Sequence, residues 1–190
     1  MLVLASMAFR RKSNSMSTIN RRILLVSAAL SLCTIAWSQD RKSPHESTAA
    51  TIADKTITIN YGRPYKKGRK IFGGLEPLGK VWRTGADEAT TLTTEADLMV
   101  GGIHVPAGAY SLFTIPEDGK WTLVLNKTAK QWGAFKYDES QDLGRTAMKV
   151  SAVDAPLEQL TISIEPTSGK NGILKVAWDQ TVATAEIIVH

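Results

Sequence analysis

From Thr56 onward, apolar and polar residues alternate with a period of two along much of the chain, and this pattern constrains the fold more than any other feature. Ile57, Ile59 and Tyr61 alternate with Thr56, Thr58 and Asn60; Trp121, Leu123 and Leu125 recur at every second position, as do Leu160, Ile162 and Ile164, and Leu174, Val176 and Trp178. Successive side chains of a β-strand point to opposite faces, so this spacing specifies strands with one buried face. Between them stand turn signals: Gly101-Gly102, Pro106-Ala107-Gly108, Pro116-Glu117-Asp118-Gly119 and the PTSGKNG run from Pro166.

Strands are predicted over 56–61, 81–84, 89–94, 109–115, 121–126, 147–153, 157–165, 173–178 and 181–189, with a tight hairpin over 98–105. Helix has little room, and about nine short strands with turns between them predict an all-β fold, an antiparallel β-sandwich or jelly-roll-like domain. One segment breaks the rhythm. Residues 127–143, KTAKQWGAFKYDESQDL, form a long loop with room for one helical turn, and loops of this length inside a compact domain are often functional.

The N-terminal residues carry a different message. Arg21 and Arg22 precede the apolar run Ile23 to Trp37, and Ala36-Trp37-Ser38 then offers small residues where a signal peptidase reads. Residues 1–38 are therefore read as an N-terminal extension and signal peptide, with Met16 a better-placed start than Met1. The apolar run is shorter than the roughly 20 residues a spanning helix needs, so no membrane span is expected after cleavage. Lipid attachment at Cys33 is disfavoured because Leu32, and not a small residue, precedes it. The expectation is an exported protein, periplasmic or extracellular. Because Cys33 is the only cysteine, the mature chain would have no disulfide.

Export also changes the meaning of the charge. The whole chain carries 23 basic and 18 acidic residues, but five of the basic groups and none of the acids lie in residues 1–38. Removing them leaves 18 against 18. A neutral exported domain argues against nucleic acid as a partner. Residues 39–55 are polar and without period, and read as a flexible leader that contains a solvated His45; residues 56–190 then form a single domain.

What remains basic is local. The stretch Tyr61 to Thr91, YGRPYKKGRKIFGGLEPLGKVWRTGADEATT, holds seven basic groups against three acids. Together with VPAGAYSLFTIP and WTLVLNK…QWGAFKYDES.DLGR it resembles the bacterial family of domain of unknown function 2911, over about Thr56 to Ile164. The resemblance implies an exported, single-domain, β-rich protein. The family has no established activity, so no catalytic residue can be carried over.

Candidate functional residues follow from residue type and context. Lys66 and Lys67 read as solvated, whereas Arg63, Arg69 and Arg83 each stand beside glycine, proline or an aromatic residue. Their guanidinium forks suit an anionic ligand or an internal acid equally well. Trp82, Trp121 and Trp178 read as core; Trp132, in the irregular segment, is the best candidate for an exposed ring. Asp87 and Glu88 are adjacent and are expected on opposite faces, one of them paired with Arg83 across Gly85. Asp138, Glu139 and Asp142 could pair with the basic loop.

A patch of Arg63, Arg69, Trp82 and Arg83 facing Trp132, Tyr137 and Asp138 would bind a small anionic or carbohydrate ligand, or an envelope protein. The alternatives are a hydrolase using Asp87, Glu88 or Asp138, and a structural envelope module. No G-x-S-x-G elbow, no histidines at i, i+4 and no metal-spaced acids occur, so no catalytic constellation, metal or cofactor is expected.

Overall fold

The computed structural model describes residues 43–190. The expected signal segment, its cleavage point and Cys33 lie outside the described residues. The fold is all-β and antiparallel, with strands β1 (His45–Ile52), β2 (Lys55–Gly62), β3 (Ala86–Thr94), β4 (Leu98–Val100), β5 (Ile103–Val105), β6 (Gly108–Glu117), β7 (Lys120–Asn126), β8 (Asp142–Pro166) and β9 (Asn171–Val189). They form one nine-stranded sheet in the order β1-β2-β3-β6-β7-β8-β9-β4-β5, not closed into a barrel.

The inward positions of the alternating segments meet in one core. Ile57, Ile59, Leu92, Leu112, Leu123, Leu125, Leu160, Leu174 and Ala183 have no exposed surface. Burying a side chain of leucine size contributes about 1.5–3 kcal/mol, and this set supplies the main drive for folding. Tyr61, on β2, reaches across to β8, where the Ile162 N–H donates to its hydroxyl at 3.1 Å. A smaller cluster forms on the other face of the sheet from Ala89, Phe113 and Val124, and Val81, Ala134 and Tyr137 pack against it. The irregular segment is thus fastened over β3, β6 and β7.

Three expectations are corrected. Residues 45–52 are not a flexible leader: they form β1, paired in full register with β2 from His45↔Gly62 to Ile52↔Lys55. Nearly all of β1 is exposed or half-exposed, so it carries no apolar alternation. The turn that joins it to β2 is Ala53-Asp54, both at positive φ (48° and 60°). Two residues at positive φ make the two-residue hairpin turn usually written Asn-Gly or Asp-Gly, and Ala-Asp gives no such signal.

The second correction concerns length. The two strands expected over 147–165 are parts of β8, and the two over 173–189 are parts of β9; the breaks between them are register shifts at Ala152/Leu157 and Leu157/Thr161. Such irregularities bend a strand without ending it. Third, 81–84 is not a strand. Only Trp82 pairs, in an isolated bridge with Thr114.

Candidate functional site

The basic stretch divides into two regions. In the first, the cations are bound by the domain itself. Arg63 donates from Nε to the Leu160 carbonyl (3.0 Å) and from Nη2 to Thr161 Oγ1 (3.2 Å), and pairs with Glu46 at 3.5 Å. Lys66 pairs with Asp179, so it is not merely solvated, and its N–H donates to the Glu158 carbonyl. Arg69 turns back on its own loop, donating to the carbonyls of Lys66 and Tyr65. Trp82 is 3% exposed and stacks on Trp178 at 6.0 Å, with Phe72 and Trp121 edge-on to it. Arg63, Arg69 and Trp82 are therefore engaged within the fold.

The second region begins at Arg83. The turn Thr84-Gly85-Ala86-Asp87 places two non-glycine residues in the left-handed region, Thr84 at φ 55° and Asp87 at φ 64°. Such backbone persists only where the surroundings determine it. Here Thr84 is fully buried, its hydroxyl lies 3.0 Å from that of Thr114, and the Thr90 hydroxyl donates to its carbonyl at 2.8 Å. Gly62 is required opposite: a Cβ there would stand 2.1 Å from the Ala86 carbonyl oxygen.

The left-handed Asp87 also overturns the expectation that Asp87 and Glu88 face apart. Both carboxylates reach the same ring, with His45 Nε2 3.5 Å from Asp87 Oδ2 and 3.2 Å from Glu88 Oε2. Neither makes an ion pair with Arg83. His45, expected in a solvated leader, is brought here by β1.

The irregular segment closes the region from the other side. Residues 131–133 run antiparallel to the start of β3, with Ala89 N–H donating to the Gln131 carbonyl, Gly133 N–H to the Asp87 carbonyl (each 3.0 Å), and Trp132 bridged to Glu88. Directly opposed residues of an antiparallel pair present their side chains on one face, so Trp132 stands beside Glu88. Trp132 is 54% exposed and Phe135 86%. Gly133 (φ 62°) makes the approach possible, because a Cβ there would meet the Phe135 ring at 3.1 Å and Arg83 Cδ at 3.9 Å.

Arg83, Asp87, Glu88, Trp132 and Phe135 thus share one corner. Within it, Arg83 Nε is buried and has no hydrogen-bond partner, while the buried Asp87 Oδ2 has only the 3.5 Å contact with His45 Nε2. Buried polar groups are rarely left so, and each exception asks for an explanation. Beyond Arg83 lies Glu76. Burial pushes its carboxyl up to about 7, and the nearby charges of Arg83 and Arg69 offset only part of that. Glu76, His45 and Phe135 were not among the candidates from sequence. A glutamate in the glycine-rich run GGLEPLG and a histidine in a polar segment carry no local sign of burial or pairing.

Tyr137 and Asp138 do not belong to this corner. The Tyr137 hydroxyl donates to Asp142 Oδ2 at 2.6 Å and accepts from Arg145 at 2.7 Å. Burial, with the Asp142 carboxylate beside it, pushes that hydroxyl up to about 12. Asp138 is exposed and caps a single 3₁₀ turn, Glu139–Gln141, by accepting from the Ser140 N–H. Asp142 also accepts from Asn126 and Arg145, and Glu139 pairs with Arg145. The acids of this segment serve the segment itself and do not pair with the basic loop. Among the described residues no group of three or more His, Cys, Asp or Glu is arranged to hold a metal ion, and no helix is long and apolar enough to cross a membrane.

Fold and corner together define an all-β antiparallel module that presents two aromatic rings beside charged groups from loops on a single sheet. The family model described as "Protein of unknown function (DUF2911)" matches residues 43–187, and the chain belongs to that family. No curated protein and no solved structure matches the chain.

Proposed function

We propose that this is an exported binding module whose ligand is sugar-like, seated on Trp132 and Phe135 with its hydroxyls turned to Arg83, Asp87 and Glu88. The observation that carries the reading is the placing of two exposed rings beside a charged cluster: Trp132 is bridged to Glu88, and Phe135 and Arg83 both lie within 4 Å of the point where a Cβ on Gly133 would be. A hydroxyl group both donates and accepts, so the hydroxyls of one sugar suit a guanidinium and carboxylates standing side by side. The C–H face of a sugar ring stacks on indole, and loops on a rigid sheet are the usual place for such rings.

Two carboxylates beside one arginine count against a small anion, and Arg63 and Arg69, which would have supported one, are engaged elsewhere. Calorimetric titration of the purified protein with a panel of neutral oligosaccharides tests the reading. One of them binds, and Trp132→Ala weakens it by about tenfold or more, equal to roughly 1.4 kcal/mol. A panel without a binder, or a binder indifferent to Trp132→Ala, overturns it. Export is tested separately: mass spectrometry of the protein from the cell envelope or medium should find an N-terminus at Gln39.

A hydrolase is the second reading, and Glu76 favours it. A carboxyl pushed to about 7 exchanges protons near neutrality, as a general acid must. Turnover of aryl glycosides that disappears in Glu76→Gln would support it; no turnover by the unaltered protein removes it.

A further inference from the structure

A second concavity, separate from the Trp132 corner, lies between the loop 70–79, the turn joining β6 and β7, and strands β8 and β9. The Gly79 N–H donates to the Pro116 carbonyl at 2.8 Å and ties that loop to the end of the β6–β7 hairpin. The cavity so formed has a volume of about 400 Å³. Its apolar lining includes Phe72 and Trp121, edge to face at 4.7 Å, with Leu78 and Val150. Both the size and the mixture of aromatic wall with a few charged groups are those of small-molecule sites.

The charged groups are Lys70, Glu117 and Asp118. Lys70 Nζ lies beside Leu78 at the wall, each within 3.7 Å of the point where a Cβ on Gly73 would be. Among the described residues neither Lys70 nor Asp118 has an ion pair, and Glu117 has only a long contact of 4.0 Å with Lys120. A cation, Lys70, and a carboxylate, Asp118, therefore share the rim of one apolar cavity without an ion pair to each other or to a neighbour.

We propose that this cavity binds a small zwitterion with an apolar side chain, of the α-amino acid class. The side chain lies on Phe72 and Trp121, the carboxylate meets Lys70, and the ammonium meets Asp118. A purely apolar occupant would leave Lys70 and Asp118 unused, a monoanion would face Glu117 and Asp118, and a cation would face Lys70. Only a molecule carrying both charges satisfies both ends, through charge-assisted hydrogen bonds.

The test uses the tryptophan fluorescence of the purified full-length protein, since Trp121 forms part of the wall, with calorimetry as a second readout. The probes are L-leucine, 4-methylpentanoate, which lacks the ammonium, and isoamylamine, which lacks the carboxylate. Leucine is expected to give a saturable change, with both analogues weaker by about tenfold or more, the worth of one charge-assisted contact. Lys70→Met should weaken leucine without weakening isoamylamine, and Asp118→Asn should weaken leucine without weakening 4-methylpentanoate. Trp132→Ala should leave leucine binding unchanged, which keeps this result independent of the sugar reading. The proposal is overturned if leucine gives no saturable change at millimolar concentration, if either analogue binds as tightly, or if neither charge variant alters leucine affinity.

Discussion

Arg63 and Arg83 stand near the two ends of the same glycine-rich stretch, each next to a residue that restricts the backbone, and they are in opposite physical situations. Arg63 has acceptors along its guanidinium: a carbonyl, a hydroxyl and a carboxylate, all supplied by strands β1 and β8. Arg83 has a buried Nε with none, beside two left-handed residues and near the exposed Phe135 ring. The first arginine is a strap. The second sits where the protein leaves polar capacity unused, and the difference comes from what lies across the gap and not from the arginines.

Four substitutions would break or sharpen that contrast. The largest effect belongs to Arg63→Ala, which strands the acceptors on β8 and should lower stability by about 2–3 kcal/mol in urea unfolding while leaving oligosaccharide affinity unchanged. A loss of affinity without loss of stability would reverse the roles assigned to the two arginines.

Glu76→Gln is next, and its sign depends on pH. Burial pushes the folded carboxyl up to about 7, against the ordinary 4.5 of a glutamate. Between those values the folded protein holds a proton that the unfolded chain has released, so stability falls as pH rises through this window and is level above it. The variant stays neutral throughout. It should exceed the parent by on the order of 2 kcal/mol at pH 8, and should match it at pH 4. Parallel stability curves for the two proteins would show that Glu76 is not held in this way.

Gly133→Ala should cost about 1 kcal/mol for the left-handed backbone and, through the displaced Phe135 ring, weaken sugar binding as well. The smallest stability effect is expected for Arg83→Gln, within about 0.5 kcal/mol of the parent, because no hydrogen bond within the domain is lost. Its ligand affinity should nevertheless fall by about tenfold. A stability loss in Arg83→Gln as large as that of Arg63→Ala would erase the distinction between the two regions.

The legibility of the chain follows the same line. Strands β2, β6 and β7, the Gly101-Gly102 hairpin and the buried Trp82, Trp121 and Trp178 were readable because each rests on a local pattern or a residue with a strong local preference. Strand β1 was not, since an edge strand buries too little to alternate and its turn uses Ala53-Asp54. Of the nine candidate residues, Arg83, Asp87, Glu88 and Trp132 share one corner, while Arg63, Arg69, Trp82, Tyr137 and Asp138 are occupied with the fold.

The sequence by itself determined the class of fold, because the direction of a side chain alternates with the chain whatever lies beyond it, and buried faces can be read one strand at a time. It determined the family for the same reason, through ordered local motifs. Only the tertiary structure decided which charges were taken: Arg63 meets Leu160 and Thr161 from nearly a hundred positions away, and His45 meets Asp87 and Glu88 through a strand the local pattern did not announce. A charge acquires its meaning from its partner, and partners brought together by sheet pairing and loop closure are not written next to it in the chain.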